Sequence, residues 1–307
     1  MLAVVRHVPQ PHGRSVAHIR CTSSQNQVQW LRIQDGEYKV LKVTSYNVNG
    51  IRAAYRKGLQ DWLDLQTPHI VAMQEVRIQD KDLTEAMRHP KGYVGHFNLA
   101  ERKGYSGVGF YMNDTLQAEN IHIGMGCEEF DPEGRLIRAD FSTASIVSAY
   151  LPSGSSGDER QQAKYRFLER FETWISGMMR EHHETGREFI LCGDWNIAHT
   201  ENDIKNWRGN QKNSGFLPEE RAWMTKVLND LGWKDVYRHV HPDTTDECYT
   251  WWSNRGRAWD NNTGWRIDYQ IATPGIAATA QRCHIYKDVR ISDHAPLTIE
   301  YDWSLNK

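Results

Sequence analysis

No stretch of this sequence approaches the run of about 18 apolar residues that a membrane-spanning helix needs, so no span is expected. Paired cysteines are missing as well. Cys21, Cys127, Cys192, Cys248 and Cys283 lie far apart, are odd in number and form no CxxC or zinc-type spacing, which favours free thiols in a reducing compartment. There is no internal repeat and no low-complexity tract. A net charge of −2 argues against a protein coated in positive charge, yet it leaves room for a local basic surface that meets nucleic acid. Acidic residues are absent from the first 34 positions, where four arginines and three histidines stand without a lysine. Residues 1–38 are therefore expected to be an arm: disordered, a targeting segment, or non-native upstream sequence. Leu41 opens "LKVTSYN", a natural domain beginning, and the folded domain is expected over 39–307.

A chain of 307 residues can bury a large core, as one α/β domain or two smaller ones. "LKVTSYNVNG" alternates apolar and polar residues and stops at Asn-Gly, as a strand feeding a turn would. "RKGLQDWLDLQ" has helical spacing at Leu59, Trp62 and Leu63, and "HIVAMQE" is a short apolar strand with a polar tip. Strand, helix and strand in close succession predict layered α/β architecture. Strands follow at "GVGFYM", "RLIRADF" and "TASIVSAYLP". The longest helix starts near Asp158, with Leu168, Phe171, Ile175 and Met178 at three-four spacing and a stop at Gly186. "EFILCGDWN" is a buried strand, and "LPEERAWMTKVLNDLG" is a helix opened by Pro218. The last third is rich in strands: "ECYTWWS", "WRIDYQIA", "CHIYKDV" and "APLTIEYDW".

Four of these strands end in chemically capable residues: Asn47-Val-Asn49, Gln74-Glu75, Asp194-Trp-Asn196 and Asp268. A fifth begins with "SDH", Ser292 to His294. Neighbours on a strand point to opposite faces, so Asp293 and His294 serve different groups unless a bend gathers them. Each motif has a plain reading: a charged strand end, a turn, a surface histidine, a buried carboxylate with a partner. Gathered into one cleft they would make a site of carboxylates, amides and one histidine. Asp, Glu and Asn without paired cysteines favour a hard cation, usually Mg²⁺. A histidine beside carboxylates suits acid–base work, and the whole fits metal-assisted attack of water on a phosphodiester.

Read in order, "NVNGIRA", "QEVR", "GYSGVG", "YLPSG", "GDWNIAHTENDIKNWRGNQKNSGFLPEER", "GWRIDY" and "SDHAP" resemble the exonuclease III family of apurinic/apyrimidinic endonucleases. That family lies within the endonuclease–exonuclease–phosphatase superfamily, and the resemblance runs from about Leu41 to Trp303. It implies a four-layered α/β sandwich, two packed mixed β-sheets flanked by helices. It implies Glu75 as principal metal ligand, with Asn49 and Asp293 in the metal region and Asn47 as support. Asn49 stands where some relatives have aspartate. Asp194 is the implied proton-transfer residue or water activator, Asn196 orients nucleophile or phosphate, and Tyr150 contacts the phosphate. His294 pairs with Asp268, either to bind the phosphate as an imidazolium or to activate water as a base.

By the same resemblance Arg77, Lys103, Tyr105, Asn210, Asn213 and Arg255 hold DNA. Trp251, Trp265 and Ile267 form an abasic-sugar pocket. Ser156 and Arg255 replace an arginine and a methionine at two DNA-penetrating positions of human-type relatives. The implied enzyme is a Mg²⁺-dependent DNA-repair phosphodiesterase, with Mn²⁺ as a substitute, that incises double-stranded DNA 5′ to abasic sites. It would also act on blocked 3′ ends. Its alternative is a relative specialised as 3′–5′ exonuclease or 3′-phosphatase. A lipid or inositol phosphatase shares "QE" and "SDH" but leaves "GWRIDY" and "GNQKNSGF" unexplained. A non-enzymatic DNA-binding protein would be expected to lack Glu75, Asp194, Asp268 or His294, and all four are present. A monomer is expected, in the cytoplasm of a bacterium or the nucleus or mitochondrion of a eukaryote.

Overall fold

The computed structural model describes residues 40–306, together with the backbone of two short strands, Val5–Pro9 and Ser15–Ile19, which pair antiparallel. The chain divides between Lys39 and Val40 into two units. The expected disordered, targeting or non-native character of the arm falls, with Cys21, outside the described side chains.

Two six-stranded sheets make up the larger unit. The first runs Ala280–Ile285, Leu297–Asp302, Val40–Asn47, Ile70–Gln74, Val108–Asn113 and Tyr93–Asn98 in spatial order. The second runs Lys234–Asp235, Asp268–Ala272, Glu188–Asp194, Ala144–Tyr150, Leu136–Asp140 and Asn120–Ile123. Each has one parallel pair at its centre and antiparallel neighbours outside it. Parallel strands need a crossover. The first pair is joined through helices Ile51–Arg56 and Leu59–Gln66, and the second through the long helix Asp158–Thr185.

The sheets pack face to face. Val43, Ile70, Ala72 and Phe110 of one meet Ile137, Ile146, Ile190 and Cys192 of the other in a shared core. Leu59, Trp62 and Leu63 cover the outer face of the first sheet through Val71, Met73 and Tyr111. Phe167, Phe171 and Ile175 cover the second through Val147, Phe189 and Leu191. This is the expected four-layered α/β sandwich. Covering both faces is why Ile70–Gln74 and Glu188–Asp194 are buried at every position rather than alternately.

The last third departs from the strand reading. "ECYTWWS" yields a short 3₁₀ turn, Asp246–Cys248, and a two-residue strand, Trp251–Trp252. "WRIDYQIA" is broken after Trp265, because the Arg266 backbone N–H donates to the Asp203 carbonyl and the Ile267 N–H donates to Thr250 Oγ1. Asp268 therefore begins the strand Asp268–Ala272 instead of ending one. Its strand runs antiparallel, so that start lies directly opposite Asp194. "CHIYKDV" is strand only as far as Ile285. Strands Tyr93–Asn98, Asn120–Ile123 and Lys234–Asp235 had no clear apolar pattern to announce them.

Candidate active site

The carboxyl ends of both parallel pairs meet at one edge of the sandwich. Asn47 lies beside Gln74 in the first sheet, and Tyr150 beside Asp194 in the second. Open α/β sheets bind ligands at such ends. The turns that leave these strands carry non-glycine residues in the left-handed region: Asn49 at φ 44°, Glu75 at 52°, Arg77 at 50° and Asn196 at 52°. Such conformations cost of order 1–3 kcal/mol each and persist only where neighbours impose them. Here backbone bonds do so, with the Gly50 N–H donating to the Glu75 carbonyl (2.7 Å) and the Val76 N–H to the Gly107 carbonyl (3.0 Å).

One amide ties the two sheets together at this edge. Asn47 Nδ2 donates to Glu75 Oε1 at 2.7 Å and to Asp194 Oδ2 at 2.9 Å, and all three residues are buried. Glu75 also pairs with the Arg77 guanidinium. The other oxygen of Asp194 accepts the Asn196 backbone N–H (2.9 Å), while Asn196 Nδ2 donates to the Leu151 carbonyl (2.9 Å).

A bend gathers "SDH". His294 bridges antiparallel to Trp251, and its backbone N–H donates to Ser292 Oγ (3.2 Å). Asp293 and His294 then face different partners, as strand geometry requires. Asp293 accepts from Asn49 Nδ2 (2.7 Å), Ser292 Oγ (3.2 Å) and Trp251 Nε1 (3.3 Å). His294 Nδ1 meets Asp268 Oδ2 at 2.8 Å, and Nε2 stands 3.8 Å from Asp194 Oδ2. Among the described residues Asp268 Oδ1 is buried with no hydrogen-bond partner, and His294 is the one side chain bonded to this carboxylate.

Electrostatics separates these groups. Burial pushes the His294 imidazolium toward losing its proton, but Asp268 and then Asp194 outweigh it, and the pKa is raised to about 10. Burial pushes the Asp194 carboxyl up, Asp268 and Glu75 add to it and His294 opposes, leaving it raised to about 8. Burial also acts upward on Asp293, yet His294, Asn49 and Trp251 together hold its carboxyl below the ordinary range. Tyr150 stays a neutral phenol, pushed up by burial, Glu75 and Asp194.

Oxygen donors of Glu75 and Asp194 and a ring nitrogen of His294 lie within 4.8 Å of one another. An imidazolium cannot coordinate a cation, so the usable donors are the oxygens of Glu75 and of Asp194, the latter once its raised carboxyl has lost its proton, and such hard oxygens fit a divalent cation of the Mg²⁺, Mn²⁺ or Ca²⁺ kind. Asp293 lies outside this tightest group, although it lines the same cleft as Asn49 and Glu75.

The cleft has a volume of about 950 Å³. It joins Asn49, Glu75, Tyr150, Asp194, Asn196, Asp293 and His294 to Arg77, Asn210, Asn213 and Arg255. Trp251, Trp265 and Ile267 line it too, the two indoles edge to face with centroids 6.0 Å apart. Asn47 and Asp268 sit behind this lining, fully buried. Lys103 and Tyr105 lie outside the lining, Lys103 exposed and Tyr105 ringed by Arg102, Arg135 and Arg160.

Three contributors were not singled out in the sequence. Thr250 Oγ1 accepts the N–H groups of Ile267 (3.2 Å) and Asp268 (3.1 Å), and so sets the break that aims Asp268 at His294. Nothing local marks it. Arg135, buried inside "RLIRADF", donates to the Tyr150 carbonyl (3.0 Å) and lies 5.0 Å over the Tyr150 ring. Lys164 is fully buried, and its signal was legible: it falls on the same stripe as Leu168, Phe171, Ile175 and Met178.

Residues 44–294 match the model of the Endonuclease/Exonuclease/phosphatase family. The chain is 36% identical to an exodeoxyribonuclease of Bacillus subtilis over 261 residues, covering 84% of this chain and 98% of that one. It is 34% identical to a DNA repair nuclease of Danio rerio over 273 residues, 88% of this chain and 84% of the other. An AP endonuclease structure from Archaeoglobus fulgidus superposes with a TM-score of 0.75 at 28% identity, covering 86% of this chain and all of that one. A 3′ phosphatase from Neisseria bound to a product DNA hairpin gives 0.76 at 26% identity, covering 86% of this chain and 100% of that one. With a family match over most of its length and carboxylates converging on one cleft, the chain belongs to the endonuclease/exonuclease/phosphatase family and is a phosphodiester hydrolase of the DNA-repair nuclease type.

Proposed function

We propose that this protein cleaves the DNA backbone on the 5′ side of an abasic site and leaves a 3′-hydroxyl, with Mg²⁺ as its cation and Mn²⁺ as a substitute. The same centre would remove 3′-blocking groups and trim 3′ ends. The reading rests on one observation: Glu75, Asp194 and the Asp268–His294 pair come from four segments of chain yet meet at one cleft beside an aromatic wall. A divalent cation bound there would stabilise negative charge on the phosphate. Around it each side chain has its own part. Asp268 keeps His294 protonated, so that Nε2–H can donate to a phosphate oxygen. Asp194 is the acid–base group, oriented by Asn47 and by the Asn196 N–H. Tyr150 offers a phenol hydroxyl to the phosphate. Arg77, Asn210 and Asn213 grip the backbone, which needs few cations and so suits a mildly acidic protein. Trp251, Trp265 and Ile267 accept a sugar that carries no base. We take the acting species to be a monomer.

A labelled abasic duplex tests this with and without Mg²⁺. Incision 5′ to the lesion, abolished by EDTA and by Glu75→Ala, is expected; incision indifferent to both would sink the proposal. Trp251 favours a second reading. Its ring crowds Trp265 and its Nε1 is tied to Asp293, which narrows the sugar pocket and would favour 3′-phosphate or 3′-nucleotide removal. Relative rates on an abasic duplex and a 3′-phosphate nick separate the two.

A further inference from the structure

Lys164 and Glu220 form an ion pair in which both side chains are completely buried, at one end of the long helix and close to the cleft. Removing two charges from water is costly, and apolar replacements of such pairs are often as stable or more so. Stability is therefore a poor reason for this pair. Its other contacts supply a better one. Lys164 Nζ donates to the Asn196 carbonyl at 2.9 Å, behind the turn that carries Asp194 and Asn196. That turn holds Asn196 in the left-handed region, where a non-glycine residue needs support. Glu220 Oε2 accepts the backbone N–H groups of Gly215 (2.6 Å) and Leu217 (3.1 Å). Its Oε1 takes Lys164, Gln161 Nε2 (3.1 Å) and Ser214 Oγ (3.4 Å). Ser214 Oγ in turn accepts the Gly154 N–H at 3.1 Å. Gly154, Ser214 and Gly215 all line the cleft, and Gly215 ends the segment that bears Asn210 and Asn213. One buried pair thus joins the turn that carries the acid–base group to two segments of the cleft wall.

We propose that Lys164 and Glu220 are positioning residues that lock the Asp194–Asn196 turn in register with the DNA-facing loop 210–217. The proposal rests on the nuclease reading above. Neither residue touches substrate; each acts through backbone groups of residues that would. Lys164 acts on the chemical step and Glu220 on the placement of the loop.

The test is single-turnover and steady-state cleavage of the abasic duplex by Lys164→Met/Glu220→Gln, a charge-free pair of nearly the original shape. Thermal melting runs alongside. Glu220→Gln keeps an acceptor for the loop N–H groups, whereas Lys164→Met leaves the Asn196 carbonyl without its donor. A cooperative melt close to the parent's is expected. With it should come a kcat reduced on the order of 10- to 100-fold, as misplacement by up to about 1 Å would give. KM should stay within about threefold of the parent's, since ground-state grip is largely kept. Lys164→Arg, which retains a donor, should recover most of kcat. Parental kcat in the double variant would overturn the proposal. So would a double variant with no cooperative melt, because the pair would then serve the fold, or a change confined to KM. An inactive parent would overturn the nuclease reading itself, whereas an active parent with kinetically normal variants overturns only this one.

Discussion

Replacing Asp268 with asparagine isolates one charge at the centre of the site. The carboxylate is fully buried and, among the described residues, accepts a side-chain hydrogen bond from His294 alone at 2.8 Å and leaves Oδ1 without a partner. Asparagine has the same shape, and its carbonyl can still accept from Nδ1–H, so the ring should keep its tautomer and place. What disappears is the negative charge opposite the imidazolium. A hydrogen bond to a charged group contributes roughly 1.5–3 kcal/mol. Asparagine keeps the bond but not the charge, and a neutral bond is about half as strong, so at 1.36 kcal/mol per decade the weakening corresponds to a kcat lower by about 4- to 13-fold. The pH dependence carries a sharper signature. The His294 pKa is raised to about 10, chiefly by Asp268 against the effect of burial, so the protonated form persists until pH rises through that value. In Asp268→Asn the main support is gone while burial remains. The proton should leave nearer the ordinary histidine value of about 6.5, and activity should fall away at a lower pH than in the parent. Single-turnover cleavage of an abasic duplex from pH 6 to pH 10, with His294 followed by NMR, reads both effects. Superimposable pH profiles with equal kcat would refute a charge role for Asp268, and an earlier alkaline rise in the variant would refute the imidazolium assignment.

Two further predictions concern neighbours of this pair. Arg77→Met releases Glu75 from its ion pair and removes a cation that competes with any metal for that carboxylate; Mn²⁺ binding followed by calorimetry should tighten while KM for DNA rises, and unchanged Mn²⁺ affinity would show that the ion pair does not compete. Asp203 anchors the pocket wall from behind, paired with the buried Arg266 beside Trp265 and Ile267. Burial alone would raise its carboxyl, but Arg266 and Arg238 hold it well below the usual range. The stabilisation is therefore present above the unfolded value near 3.9 and is lost as pH falls toward the folded one. Asp203→Asn takes one of two carboxylates from Arg266, which keeps Asp235 at 2.7 Å, and should cost about 1.5–3 kcal/mol at neutral pH. The deficit should shrink in acid, so parent and variant melting curves that stay equally far apart from pH 6 to pH 2 would contradict this.

Local order was written plainly in the chain. The three-four spacing of Leu168, Phe171, Ile175 and Met178 gave a helix that ends where Gly186 takes a left-handed φ of 74°. The apolar runs ending at Gln74 and Asp194 gave central strands, because strands covered on both faces need little else. Short, polar or edge elements carried no such signal. Asn120–Ile123 is exposed at every residue, and "WRIDYQIA" is split by hydrogen bonds to Asp203 and Thr250, which lie 63 and 17 positions upstream of their partners. The chemistry was legible as residue types in order, and the motifs implied a shared cleft.

What the order of residues could not decide was direction and distance. Periodicity places the strand ends and the residue types name what occupies them, which was enough to set carboxylates, amides and one histidine near the tips of strands. The packing of the two sheets set the rest: Asn47 bridges Glu75 and Asp194, Asp268 reaches His294 from the start of an antiparallel strand, and a lysine on a core stripe donates to the Asn196 carbonyl. The physical reason is that hydrogen bonds and charge interactions fall off over a few ångströms, and such distances between residues far apart in sequence are set by how two sheets pack and not by any local preference of the chain.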